Sequence, residues 1–132
     1  MTHISAGIIV KDNKVLITQR KRNSYYELKW EFPGGKKENS ETIEECLKRE
    51  LKEELDITIS DFKLIHIENH KYPDGFEFRI FFYLINNFYG QEKNKVFEKI
   101  EWTEIENLDK YDFLEADKKI ITLLKSYFQK NI

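Results

Sequence analysis

Apolar positions recur along this chain with two different periods. Ile4 to Val10 is apolar and β-branched, Asp12-Asn13 interrupts it, and Val15-Leu16-Ile17-Thr18 resumes the run, which predicts a hairpin. Arg20 to Asn23 is a basic loop, and Tyr25 to Phe32 is expected to return as a strand. Then the period lengthens. Ile43, Leu47, Leu51 and Leu55 recur every four residues with Cys46 beside them, which predicts one apolar stripe on a helix over about 43–55. Thr42 and Glu45 in front of it match a capping box. Ile57 to Ile67 reads as a short connection and a strand, and Pro73-Asp74-Gly75 as a turn. Phe76 to Ile85 carries the aromatic and β-branched load of a strand, and Lys99 to Glu104 is a shorter strand around Trp102. Ala116 to Phe128, with Ile120, Ile121, Leu123, Leu124 and Phe128, predicts a second amphipathic helix. Strands, helix, strands, helix in this order predict an α+β fold with a mixed central sheet between helices.

Composition narrows the function classes. A length of 132 residues suits a single domain, 1–132. Apolar residues make up 40% and charged ones 35%, so a charged surface encloses an adequate core. The net charge of -2 provides no general field toward nucleic acid or anionic membrane. The Arg20-Lys21-Arg22 loop has no supporting charge elsewhere for stable nucleic-acid binding. Cys46 is the one cysteine, so an internal disulfide is excluded. No apolar run approaches the roughly 20 residues of a bilayer span. MTHISAGIIVK lacks the basic start and cleavage site of a signal peptide, so a cytoplasmic location is expected. Three of the seven Pro and Gly residues form Pro33-Gly34-Gly35, which marks a place where the backbone itself has a task.

The chemistry is expected just after that tripeptide. Glu50, Glu53 and Glu54 stand at i, i+3 and i+4 on the helix and therefore share one face. Like charges at this spacing repel by a few tenths of a kcal/mol per pair, roughly. A hard divalent cation relieves that repulsion, and an open carboxylate cluster suits Mg2+ because this ion keeps several waters. With Lys48 and Lys52 interleaved, the same glutamates also fit an ordinary solvated helix face.

Gly35, then Glu41, then Arg49-Glu50-Leu51 followed by Glu53-Glu54 and Ile57 resembles the Nudix box in residue type and spacing. One fixed position departs: Asp56 stands where the family has a helix-ending glycine, at a cost of about 1 kcal/mol and with no loss of metal ligands. The GIIV strand, the ITQR segment, the WEFPGGK lead-in and the late FLEAD stretch are similar to the MutT-like branch. The resemblance implies a Nudix-like α/β/α sandwich. It implies Glu53 and Glu54 as metal ligands, Glu50 as a ligand or as the base, and the Gly35 carbonyl as a further ligand. Arg49 and Glu41 would hold the glutamates in place, and Gly34 would serve the loop. The implied cofactor is Mg2+, with Mn2+ as the alternative. The implied reaction is in-line attack of water on phosphorus, with the metal neutralising phosphate charge. It releases a nucleoside monophosphate and pyrophosphate.

Other positions would present the substrate. A later carboxylate is expected at the metal, Glu98 in preference to Glu101. Arg20 matches an arginine that contacts substrate in the MutT-like branch. Lys36 and its neighbour Lys37 either meet phosphate or face solvent. Phe32 either packs on the base or belongs to the core. Asp117 takes the place of an amide that reads a purine edge; an ionised carboxylate only accepts hydrogen bonds, whereas a protonated one also donates. Asp117 equally suits a helix N-terminus. His3, His66 and His70 lack metal-ligand spacing. The expected substrate is a small-molecule nucleotide, 8-oxo-dGTP first. The alternatives are a pyrimidine triphosphate, a dinucleoside polyphosphate or a nucleotide sugar. The rival class, a ligand sensor without catalysis, usually loses box carboxylates that this chain retains. The sequence leaves monomer and homodimer open.

Overall fold

The computed structural model describes residues 1–130. Strands β1 (Thr2–Lys11) and β2 (Lys14–Gln19) form the expected hairpin. It turns through Asp12 and Asn13, both at positive φ (53° and 63°), as a two-residue turn between twisted strands requires.

Between Tyr25 and Phe32 the expectation of a strand is corrected. Only Trp30–Glu31 is extended as β3. Asn23, Tyr26 and Leu28 all take positive φ, and Leu28 N–H donates back to the Arg20 carbonyl. The aromatic residues that suggested a strand line a cavity instead, through Tyr25 and Tyr26. The Pro-Gly-Gly stretch, expected as a loop, contributes a strand. β4 (Gly34–Lys36) runs antiparallel to β1, with Gly34 opposite Ala6 and Gly35 opposite Ser5. The two backbones approach so closely that a Cβ on Gly34 would lie 2.0 Å from the Ser5 carbonyl oxygen.

Helix α1 (Ile43–Leu55) begins at the expected capping box. The Glu45 N–H donates to the Thr42 hydroxyl and the Thr42 N–H to the Glu45 carboxylate. Its stripe of Cys46, Leu47, Leu51 and Leu55 is fully buried. Asp56 ends it in the left-handed conformation (φ 58°), its N–H donating to the Lys52 carbonyl. β5 (Thr58–Lys71) and β6 (Glu77–Tyr89) form a long antiparallel pair that runs past the expected boundaries at its outer ends. β7 (Lys99–Glu104) matches expectation. Two short 3-10 segments, Ile105–Lys110 and Glu115–Asp117, lead into α2 (Lys118–Lys130).

The sheet is mixed, in the order β3-β2-β1-β6-β5, with β4 added on β1 and β7 on β2. The β1–β6 pairing is parallel and the others are antiparallel. One face packs Ile9, Leu16, Tyr83 and Ile85 against the leucines of α1. The other packs Ile8, Ile17, Phe82 and Leu84 against Ile120, Ile121 and Leu124 of α2. The sheet therefore lies between the helices, and the glutamate face of α1 looks toward the β1–β4 junction.

That junction is expected to tolerate no side chain at Gly34. Gly34→Ala should lower unfolding free energy by about 2–3 kcal/mol, because the obstructing atoms are backbone. Gly75→Ala, where φ is +96° but the space is open, should cost only about 1 kcal/mol. Urea titration of both variants measures the difference.

Candidate active site

Arg49 organises the acidic face of α1. Its Nη2 donates to Glu41 Oε1 (2.7 Å) and its Nε to Glu41 Oε2 (3.0 Å). Nη1 reaches Glu50 Oε1 at 2.9 Å and Glu53 Oε2 at 3.3 Å. Nη2 also donates to the Lys36 carbonyl at 3.2 Å, which ties the helix to the end of β4. The paired guanidinium pulls the Glu41 carboxyl down to about 2, and the carboxylates in turn raise the Arg49 pKa further. Glu41 also accepts from the Glu38 N–H, so the loop before the helix is fixed by the same ion.

Glu50 turns from Arg49 toward Gly35. A Cβ at Gly35 would fall 2.4 Å from the Glu50 carboxyl carbon, so the glycine leaves the space this carboxylate fills. Glu54 lies beside it. Burial raises the Glu54 pKa to about 9, and Glu50 adds to the shift by charge and by a hydrogen bond. The Gly34 N–H partly offsets this by donating to the Glu54 carboxylate. Glu54 Oε1 is buried and has no hydrogen-bond partner. An orphaned buried acceptor on Glu54, the Glu50 carboxylate beside it and an open backbone edge fit a divalent metal ion. Among the described residues no three His, Cys, Asp or Glu side chains already converge as a metal cage. Glu53 is exposed and engaged by Arg49. An open site completed by water and phosphate matches Mg2+ chemistry better than a closed one.

Beside this pair lies a cavity of about 720 Å³ between the sheet and the 20–28 loop. Glu54, Gly34, Gly35, Lys36, Arg20, Glu31, Phe32 and Asp117 are among the residues that line it. Phe32 is buried, tilted against Phe113 at 5.3 Å, and still forms part of the wall. Arg20 Nε donates to the Tyr25 carbonyl (2.6 Å), and its Nη1 sits 3.4 Å from Glu31. Asp117 is only 5% exposed. Burial raises its pKa well above the carboxylate range, and Glu31 raises it further, while the Phe32 N–H that donates to it opposes both. Burial thus favours the protonated form of Asp117 more than at an exposed carboxyl.

Two expected residues lie elsewhere. Glu98 accepts from the Arg22 N–H (3.2 Å) and braces the basic loop. Glu101 accepts from the Tyr111 hydroxyl (2.7 Å). Neither is brought together with Glu50 and Glu54. Glu31 was missed: it is a half-buried carboxyl in the cavity, its pKa raised by desolvation and partly restored by Arg20. Its signal was a lone charge between two aromatic residues, Trp30 and Phe32. Tyr72 was also missed as a wall residue. The Cys46 sulfur packs on Ser5 Oγ and the Gly35 carbonyl, as a small buried residue and not a nucleophile.

Glu31, Glu54 and Asp117 all have folded pKa values above an unfolded value near about 4. Their contribution to stability is complete below that value and is lost as pH rises through the folded pKa, about 9 for Glu54. The thermal midpoint of the metal-free protein is therefore expected to fall from about pH 5 to about pH 9. Glu54→Gln should flatten the decline, and Mg2+ should reverse it at high pH by binding the folded state alone. Scanning fluorimetry measures each effect, and a profile that rises over this range would contradict the assignment.

Comparison with known proteins agrees with the geometry. The NUDIX domain profile matches residues 1–124. The 8-oxo-dGTP diphosphatase of Escherichia coli K12 is 35% identical over 123 residues, covering 92% of this chain and 95% of that protein. The CTP pyrophosphohydrolase of the same organism is 30% identical over 129 residues, covering 96% and 91%. The solution structure of the E. coli ORF135 protein superposes with a TM-score of 0.85 at 27% identity, covering 96% and 89%. With the box carboxylates on α1, the glycine strand beneath them and a match along nearly its whole length, this chain belongs to the Nudix hydrolase family, in its MutT-like branch.

Proposed function

We propose that the protein hydrolyses a nucleoside triphosphate to a nucleoside monophosphate and pyrophosphate with Mg2+ as cofactor, and that its first substrate is 8-oxo-dGTP. The observation that carries this reading is the cavity lined by both Glu54, which adjoins Glu50, and the buried acid Asp117. Its volume lies in the range of sites for molecules of this size. Glu50, Glu53, Glu54 and the Gly35 carbonyl would hold the metal, which supplies neutralisation of phosphate charge and activation of water. Glu50 would orient the attacking water as general base. Arg49 holds these carboxylates in register through the bonds it already makes. Lys36 and Arg20 would meet phosphate oxygens along the cavity. A protonated Asp117 would accept from the N7–H of an 8-oxopurine and donate to O6, as an amide would. Phe32 supplies an apolar wall for the ring.

A second reading is favoured by Glu31. Two acids that feel each other's charge in the cavity wall, one of them buried, suit a base with an exocyclic amino group. Cytosine would donate N4–H to Glu31 or Asp117 and accept the Asp117 proton at N3. The relative named CTP pyrophosphohydrolase supports this choice of base.

Incubation with Mg2+ and a panel of nucleotides, with pyrophosphate and orthophosphate measured separately, tests both readings. Turnover of 8-oxo-dGTP is expected; turnover of CTP without 8-oxo-dGTP would transfer the assignment to the second reading. Glu53→Gln is expected to lower kcat by orders of magnitude at saturating Mg2+ with the fold retained. For Asp117 the kcat/KM should fall as pH rises and the carboxyl ionises, because the donor is lost. Asp117→Asn should remove that limb of the pH profile.

A further inference from the structure

β5 is the outer strand of the sheet. One of its edges pairs with β6, and among the described residues no strand pairs with the other. Such an edge is a template for another chain unless it is guarded. Three large apolar side chains near it are exposed: Leu64 and Ile67 at 45% each, and Leu123 of α2 at 46%. In an unbroken strand, positions 64 and 67 would face opposite ways. The bulge between Leu64 and His66 changes this. Leu64 stands opposite Tyr83 and Ile67 opposite Phe81, both on the α1 face of the sheet. Ile65 and His66 both belong to the other face, Ile65 packing on the α2-side core and His66 lying 6.2 Å from the Phe82 ring. Lys63 and Glu68, opposite Leu84 and Ile80, share that face. The strand is thus symmetric in face about the point between Ile65 and His66. α2 lies alongside the same point. Lys119 Nζ sits 3.3 Å from Glu68 Oε2, and Lys63 Nζ lies 5.7 Å from the Tyr127 ring centre. Leu123 is one helical turn from each of these two α2 residues, on their side of the helix.

We propose that two copies of this chain associate through the β5 edges, antiparallel, about a twofold axis between Ile65 and His66. An isologous interface requires a surface complementary to itself. In this register Leu64 lies opposite Ile67 of the second copy, Lys63 opposite Glu68, and Ile65 opposite His66. Every pair shares a face, apolar side chains meet apolar ones and a cation meets an anion. The two Leu123 side chains flank the axis above the sheet. Moving the register by one residue sets Leu64 against His66, on opposite faces, so the complementarity belongs to one alignment.

Sedimentation equilibrium over rising concentration should give a mass approaching twice 16.0 kDa. Ile67→Lys and, separately, Leu123→Glu should hold the mass at a single copy while leaving turnover unchanged, and should remove the rise of thermal midpoint with concentration that association gives the wild type. The register has its own test. Opposed residues of antiparallel strands lie about 4.5–5.5 Å apart, within the roughly 4.4–6.8 Å that a disulfide spans. A mixture of Leu64→Cys and Ile67→Cys chains under mild oxidant should therefore give a covalent dimer. Neither variant alone should, because like positions are offset by three residues. Cys46 is buried and does not compete. A single-copy mass for the wild type at every concentration would overturn the proposal and make the bulge a guard against pairing. Equal cross-linking of either variant alone would overturn it as well.

Discussion

The acidic helix is tolerable because one guanidinium sits among its carboxylates. Arg49 lies within ion-pair distance of Glu38, Glu41, Glu50 and Glu53, and also binds the Lys36 carbonyl. A lysine has the charge but not the planar fork that reaches several oxygens at fixed angles. The guanidinium offsets repulsion along α1, and it fixes the loop, the strand β4 and the helix relative to one another. It reaches Glu50 and Glu53 but not Glu54, whose charge is left for something else to satisfy. The gap in the compensation falls where the metal is proposed to bind.

The cavity has unusual electrostatics for a site that receives a polyanion. Its inner walls carry Glu31, Glu54 and Asp117, all with raised pKa values. Burial is the first cause of each shift. Under the proposed function a dication would take the place of a proton at Glu54, whereas a proton on Asp117 would turn an acceptor into a donor. Arg20 spends part of its charge on Glu31.

Much of this was legible in the residues. The α1 stripe, its capping box and the β1–β2 hairpin follow from local periodicity and spacing, which do not depend on the rest of the chain; the glutamates stand out through the resemblance to the Nudix box. The failures have a common cause. Tyr25 and Tyr26 have the composition of a strand, but their destination is set by a cavity formed with residues some fifty positions later, Tyr72 and Asp74. Gly34 and Gly35 read as a flexible loop, yet they are a strand because only glycine allows β1 and Glu50 to come so close. Glu98 was placed by analogy of position and is held instead by the Arg22 backbone. Glu31 escaped notice because nothing local distinguishes a buried carboxyl from an exposed one.

Asp56 has an effect beyond ending α1. A glycine there would terminate the helix and do nothing more. The carboxylate instead draws in Lys52 at 3.0 Å and Lys93 at 3.6 Å, and its own pKa is lowered, first by Lys52. Lys93 belongs to the segment whose N–H groups at 93 and 95 bind the last carbonyls of α1, and whose Val96 and Phe97 reach the cavity. A residue outside the cavity thereby contributes to holding one of its walls by charge. Because the pairs are partly exposed, dissolved salt screens them. Ionic strength, which would have no purchase on a glycine cap, becomes a variable that acts on the shape of the substrate site.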